Sequence, residues 1–208
     1  MDKNFIPVAT LARLPRYYRV FTQLKEKNVS KISSVQLSKL LGSTSSQIRQ
    51  DFSCLGSFGQ QGYGYNVAQT QHDIGRIIGV NNHYRTIIIG VGNLGRSILS
   101  GIQFYDHGFR IIGIFEKKES MIGQIIKGIP IRHIDGLDEF CRENFPQMAI
   151  LCVPPEQAIA LYDQLVSLGI EGFWNLSGCE LPPRPNVKIK DAILNDSLAS
   201  LCCKMNLE

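Results

Sequence analysis

The hydrophobic rhythm of the chain changes near residue 84. Before it, apolar residues recur at helical spacing; after it, short apolar runs alternate with amphipathic stretches. In the first part, residues 8–27 put Leu14, Tyr17, Tyr18, Phe21 and Leu24 on one helical face. Pro15 lies inside that stretch and lacks the N–H an interior turn uses, which predicts a helix starting near it. A strand-like Lys31 and Ile32 precede a Ser N-cap with Gln36 two or three positions on. Val35, Leu37, Leu40 and Leu41 then form an expected buried stripe, and Gly42 ends the helix. Residues 43–53 open a third helix with further capping hydroxyls. Residues 56–67, rich in Gly and aromatics, predict a β-hairpin wing, with Tyr65 packed on the core, and 68–80 a helix joining two domains.

The second part predicts strands at 86–91, 110–116, 129–132, 148–153, 171–174 and 187–190. Helices fit near 94–104, 119–124, 136–143, 155–168 and 191–204. Strands alternating with helices argue an α/β Rossmann domain, a doubly wound and mainly parallel sheet. The expected organisation is a winged helix-turn-helix DNA-binding domain over 1–80, a dinucleotide-binding domain over 81–190 and a C-terminal helix over 191–208.

Charge sharpens the division. The chain of 208 residues carries a net +4, but residues 1–80 hold 10 Lys and Arg against 4 Asp and Glu, whereas 81–208 hold 12 against 14. A basic first unit suits a polyanion. A short helix, a Gly-containing turn and a helix opening on polar side chains suit double-stranded DNA. There Ser45, Ser46, Gln47 and Gln50 would reach base edges or phosphates. Arg13, Arg16 and Arg49 would meet phosphates, with Tyr17 beside them, and Gln60, Gln61, Gly62 and Tyr63 would enter a minor groove. No apolar stretch approaches the roughly 20 residues a membrane span needs, and the N-terminus has no signal-peptide core, so a cytoplasmic protein without a membrane partner is expected. The six cysteines show no CxxC or metal-ligand spacing, so no metal site is expected.

Candidate chemistry sits behind the apolar run at 86–89, where residues 90–95 read GVGNLG. Gly90 permits a tight turn, Gly92 admits a pyrophosphate and Gly95 lets helix and strand pack closely; Val91, Asn93 and Leu94 complete the loop. Glu116, about 20 residues on, is placed to grip ribose hydroxyls and favours a cofactor without a 2′-phosphate, although Lys117 and Lys118 blur that discrimination. Cys152, Val153, Pro154 and Pro155 make a stiff turn suited to shaping the cofactor crevice. Asn175 and Ser177 after the next strand would hydrogen-bond a carboxamide. Hydride transfer needs a proton donor or acceptor. His72, His83 and His107 lie away from the strand ends, His133 follows a strand, and no convincing acid–base group emerges. No catalytic residue and no enzyme are expected.

Six segments together resemble the Rex family of redox-sensing transcriptional repressors over nearly the whole chain. They are IPVAT at 6–10, RLPRYYR at 13–19, ISSVQLS at 32–38, IRQDF at 48–52, GYGYNV at 62–67 and GVGNLG at 90–95. The resemblance implies a homodimer on a palindromic operator, with NADH or NAD in the Rossmann domains, and NADH releasing the DNA. It also implies a last helix swapped into the partner, consistent with the apolar stripe Ile193, Leu194, Leu198, Leu201 and Met205. The chain departs from the family pattern in three places. Glu116 stands where an Asp is usual, Gly101 where a Tyr is common, and Ile193 where many members place an Asp, with Asp191 two residues earlier. These departures suggest a weaker discrimination of NADH from NAD, a paralogue with altered sensing. Two other readings stay open on the residues alone: a dehydrogenase with an accessory domain, and a repressor that reads another adenine ligand such as a CoA-type molecule.

Overall fold

A computed structural model describes residues 6–55 and 64–207, divided into two units at Asn81 and Asn82. The first unit opens with α1 (Val8–Glu26), which starts directly after Pro7 and carries Pro15 in its interior. The expected start at Pro15 is thus seven residues late. One proline removes a single backbone bond, and Thr10, Leu14, Tyr17 and Phe21 are buried on both sides of it, so packing holds the helix through the defect. Helix α2 (Ser34–Leu41) begins with a complete capping box from Ser33 and Gln36 and ends on Gly42, whose φ of 58° closes it left-handed. Its buried line is Leu37 and Leu41 only. Val35 and Leu40, expected inside, are 54% and 57% exposed because they lie off that i, i+4 line.

Helix α3 (Ser45–Ser53) is capped by Thr44, whose hydroxyl accepts from Gln47 N. It buries Ile48, Asp51 and Phe52, and Phe52 meets Tyr17 and Tyr65 edge-on. Strands β1 (Lys31–Ile32) and β2 (Tyr65–Asn66) pair antiparallel, Ile32 opposite Tyr65. Tyr65 packs inward as expected. Helix α4 (Val67–Ile78), capped by Asn66, buries Val67, Thr70 and Ile74 in this unit's core. It also packs on α1, and its Gln71 donates to the Tyr18 hydroxyl at 3.0 Å. Expected as a joining helix, it is part of the first unit because its apolar face has a core to fill.

The second unit is a seven-stranded sheet. Its strands are β3 (Tyr84–Ile89), β4 (Phe109–Glu116), β5 (Ile125–Ile126), β6 (Ile129–His133), β7 (Met148–Leu151), β8 (Gly172–Asn175) and β9 (Lys188–Asp191), in the order β5-β6-β4-β3-β7-β8-β9. All neighbours are parallel except β5 and β6. The helices are α5 (Asn93–Gly101), α6 (Leu137–Asn144), α7 (Pro155–Ser167) and α8 (Leu194–Asn206). Ile87, Ile89, Phe115, Ala149, Leu151 and Phe173 face a core shared with α6 and α7. Ile88, Ile114 and Ile150 face the opposite one with α5. Two buried faces explain why these strands read as continuous apolar runs.

Sequence reading expected a helix over 119–124. The structure has one 3₁₀ turn there, Glu119–Met121, and then the β5–β6 hairpin. Lys127 and Gly128 at its tip both take positive φ, 48° and 80°, the backbone of a tight hairpin turn. Helix α8 buries none of its residues and exposes Leu194, Leu198, Leu201 and Met205. No helix among the described residues is long and apolar enough to cross a membrane.

Candidate nucleotide cleft and DNA-facing helix

From β3 the chain passes through β4 to β6 on one side, then returns to lay β7, β8 and β9 on the other. The order therefore reverses between β3 and β7, where open α/β sheets bind ligands beyond their strand ends. GVGNLG follows β3 and Cys152 to Pro154 follow β7, so the reversal brings them together. They line a cleft of about 590 Å³ with Glu116, Lys117, Lys118, Gln157 and Leu176.

Close packing dictates two glycines. Gly90 takes φ of 90°, and a Cβ there would sit 2.4 Å from the Cys152 carbonyl oxygen; at Gly95 it would sit 2.1 Å from that of Gly90. Nothing lies within 4 Å of a Cβ built on Gly92, which leaves open space at the N-terminus of α5 where free N–H groups favour an anion. Asn93 and Leu94 are exposed on this rim, whereas the Val91 side chain is wholly buried and offers the cleft only its backbone. That backbone is already used: Val91 N–H donates to Glu116 Oε2 at 2.8 Å. Glu116 Oε1 accepts from the N–H of Lys117 at 2.7 Å and of Lys118 at 3.1 Å. Burial alone would raise the Glu116 pKa, but these backbone donors outweigh it and hold the carboxylate below its ordinary range. Val153 is buried and Pro154 exposed at the start of α7. Burial pushes the Cys152 thiol up to about 12.

The structure corrects the expectation for Asn175. Its side chain is 1% exposed, and its amide donates to Cys179 O and Asp191 Oδ1, both at 2.6 Å. Its Oδ1 accepts from the N–H and hydroxyl of Ser177. Its polar capacity is committed to the segment after β8, through Ser177 and Cys179, and to Asp191 on β9, so none is left for a ligand carboxamide. Gly101 ends α5, exposed, and Tyr105 stacks on His83 at 4.0 Å. His133 stands between Glu119 and Asp135. Sequence reasoning missed Gln157 and Leu176 because neither belongs to a phosphate-loop motif; only the crossover places them.

In the first unit, Ser46, Arg49 and Gln50 are exposed on α3 and Arg16 on α1, while Ser45 is half-buried. Arg49 Nη1 donates to the Ser34 hydroxyl at 3.3 Å. Gln60, Gln61, Gly62 and Tyr63 lie outside the described residues. Tyr17, expected at DNA, is 2% exposed and donates its hydroxyl to Asp51 Oδ2 at 2.6 Å, so it belongs to the core. Arg13, half-buried, lies against the same carboxylate: Nε and Nη2 reach the two Asp51 oxygens at 2.7 and 2.6 Å, which makes it an anchor of α3. Thr10 and Gln47 donate to Asp51 Oδ1 at 3.0 and 3.1 Å.

Burial would raise the Asp51 pKa, yet the bonds from Arg13, Tyr17 and Thr10 hold it below the ordinary carboxylate range. Desolvation and Asp51 together drive the Tyr17 hydroxyl far up. The sequence signal was a carboxylate at a core position, Ile48, Asp51 and Phe52 falling on one helical face, which demands partners.

Comparison with known proteins matches both units. A family model described as "Putative DNA-binding protein N-terminus" covers residues 5–53, and one described as "CoA binding domain" covers residues 81–178. A protein of Clostridium perfringens strain SM101, called redox-sensing transcriptional repressor Rex, is 39% identical over 98% of this chain and 96% of its own length. A protein of the same name in Clostridium kluyveri is 41% identical over 99% of each. Two crystal structures of the repressor RSP resemble the fold. The complex with NAD+ and operator DNA has a TM-score of 0.90 at 37% identity, covering 97% of this chain and 93% of that one. The complex with NADH has a TM-score of 0.86 at 35% identity, covering 97% and 95%.

Proposed function

The chain belongs to the Rex family of redox-sensing transcriptional repressors, and from that premise we propose how its residues divide the work. The protein is a DNA-binding repressor that reads the NADH/NAD+ state, and its relatives set the dehydrogenase reading aside. The first unit meets operator DNA through α3, with Ser46, Arg49 and Gln50 outward and Asp51 fixing the helix from within. The second holds the dinucleotide against GVGNLG, with its pyrophosphate over Gly92 and the α5 N-terminus and its adenosine ribose at Glu116. The observation that carries this assignment is the glycine-walled cleft at the strand-order reversal, with Glu116 braced at its edge.

A second copy of the chain completes the molecule in this reading, because the α8 stripe of Leu194, Leu198, Leu201 and Met205 is uncovered within one chain. A homodimer on a palindromic site in the cytoplasm follows, released from DNA when NADH replaces NAD+.

The test is operator affinity against NADH/NAD+ ratio at fixed total nucleotide. Affinity falling steeply as the NADH fraction rises supports the proposal; a flat response refutes it.

A further inference from the structure

The adenosine end of the cleft carries an unusual set of charges. A carboxylate that grips a ribose through both hydroxyls needs lone pairs free on both oxygens. Glu116 lacks them: Oε1 already accepts two backbone N–H groups and Oε2 one. At about two acceptances per oxygen, it has room for one hydroxyl, not a diol. The neighbouring position on the ribose is left to whatever else lines the cleft there, namely Lys117 and Lys118. Both side chains are exposed, no hydrogen bond or ion pair holds either ammonium among the described residues, and Lys118 lies close enough to Glu116 for its charge to help lower that carboxylate's pKa.

We infer that this cleft accepts 2′-phosphorylated nicotinamide nucleotides, NADPH and NADP+, as well as NADH, with Lys117 and Lys118 as the specificity-determining residues that meet the phosphate. The inference rests on the reading of the cleft as a nicotinamide-dinucleotide site. A 2′-phosphate beside Glu116 meets one fixed negative charge and two positive ones, so the local sum favours it. An Asp or Glu standing alone at the end of this strand would repel it. Because the glutamate is drawn back onto Val91, its repulsion acts from the turn, while the lysines stand at the open rim. Exposed charge pairs are individually weak, so selectivity is relaxed rather than reversed, and the two lysines together contribute about tenfold in NADPH affinity.

Titrating the full-length protein with NADH and NADPH by calorimetry tests this. The unaltered protein binds NADPH within about tenfold of NADH, and NADPH affinity falls more steeply with added salt because its extra contact is ionic. The double variant Lys117→Ala, Lys118→Ala raises the ratio of NADPH to NADH dissociation constants by about tenfold. Both side chains are exposed, so heat unfolding of the variant serves as a folding check. NADPH binding more than about a hundredfold weaker than NADH, or a double variant that weakens both nucleotides equally, overturns the inference and leaves the NADH reading standing. Failure of both nucleotides to bind overturns that reading and the inference together.

Discussion

Replacing Asp51 with alanine tests whether one buried carboxylate sets the geometry of helix α3. The substitution deletes five hydrogen bonds at once, from Thr10, Gln47 and Tyr17 and two from Arg13. Three of the groups left behind differ in cost. Arg13 keeps about a third of its side chain in water (35%) and recovers hydration, so its loss is small. The Tyr17 hydroxyl and Thr10 are buried, 2% and 3% exposed, and an orphaned buried group costs about 1–3 kcal/mol. Allowing for relaxation, the first unit loses about 2–4 kcal/mol, which for a unit of this size lowers Tm by roughly 10–25 °C.

Unfolding followed by circular dichroism measures the loss, and the single tryptophan, Trp174, reports separately on the second unit. Tyr17→Phe removes the hydroxyl that Asp51→Ala orphans, so in the double variant the two costs fall short of their sum by at least about 1 kcal/mol. The Asp51 pKa is lowered in the fold. Its stabilisation is therefore present above the unfolded value near 3.9 and is lost as pH falls through the lower folded value, so the unaltered and variant proteins converge only in strong acid. An Asp51→Ala protein melting within about 2 °C of the unaltered one, or strict additivity with Tyr17→Phe, refutes the reasoning.

Two further outcomes follow from the second unit. Gly95→Ala forces a methyl to 2.1 Å from the Gly90 carbonyl, so α5 must withdraw from the turn; NADH affinity by calorimetry falls by more than about tenfold, and stability by about 1–3 kcal/mol. Asn175→Ala strands the partners of a four-bond network outside the cleft lining, so urea unfolding registers about 2–4 kcal/mol of lost stability while NADH affinity stays within about threefold. A large affinity loss in a stable Asn175→Ala protein would restore that residue to the ligand.

Residue pattern alone marked the helical first unit, the parallel sheet of the second and the tight glycine turn after β3, because helix periodicity, parallel-strand runs and glycine spacing are local properties. Long-range properties were not legible. Arg13 read as a free cation, and Tyr17 was placed at DNA despite its seat on the apolar face of the helix, because their partner, Asp51, is 38 and 34 residues away. Asn175 read as a free amide because the carboxylate it meets, Asp191, arrives only with the edge strand β9. Pro15 argued for a helix start from backbone chemistry that side-chain burial on both flanks overrode. Gln157 and Leu176 reach the cleft through a crossover that no spacing rule records.

Cys152 bears on how an oxidised cell is perceived. Sulfur at the wall of the glycine-lined cleft invites direct attack by peroxide, and attack requires the thiolate. With its pKa pushed up to about 12, Cys152 holds only about one thiolate in 10⁵ molecules at pH 7. Peroxide and disulfide reagents therefore find almost nothing to react with at this wall. The protein reads the balance of NADH and NAD+ while this sulfur stays silent, so a burst of oxidant and a shift in that balance are different inputs.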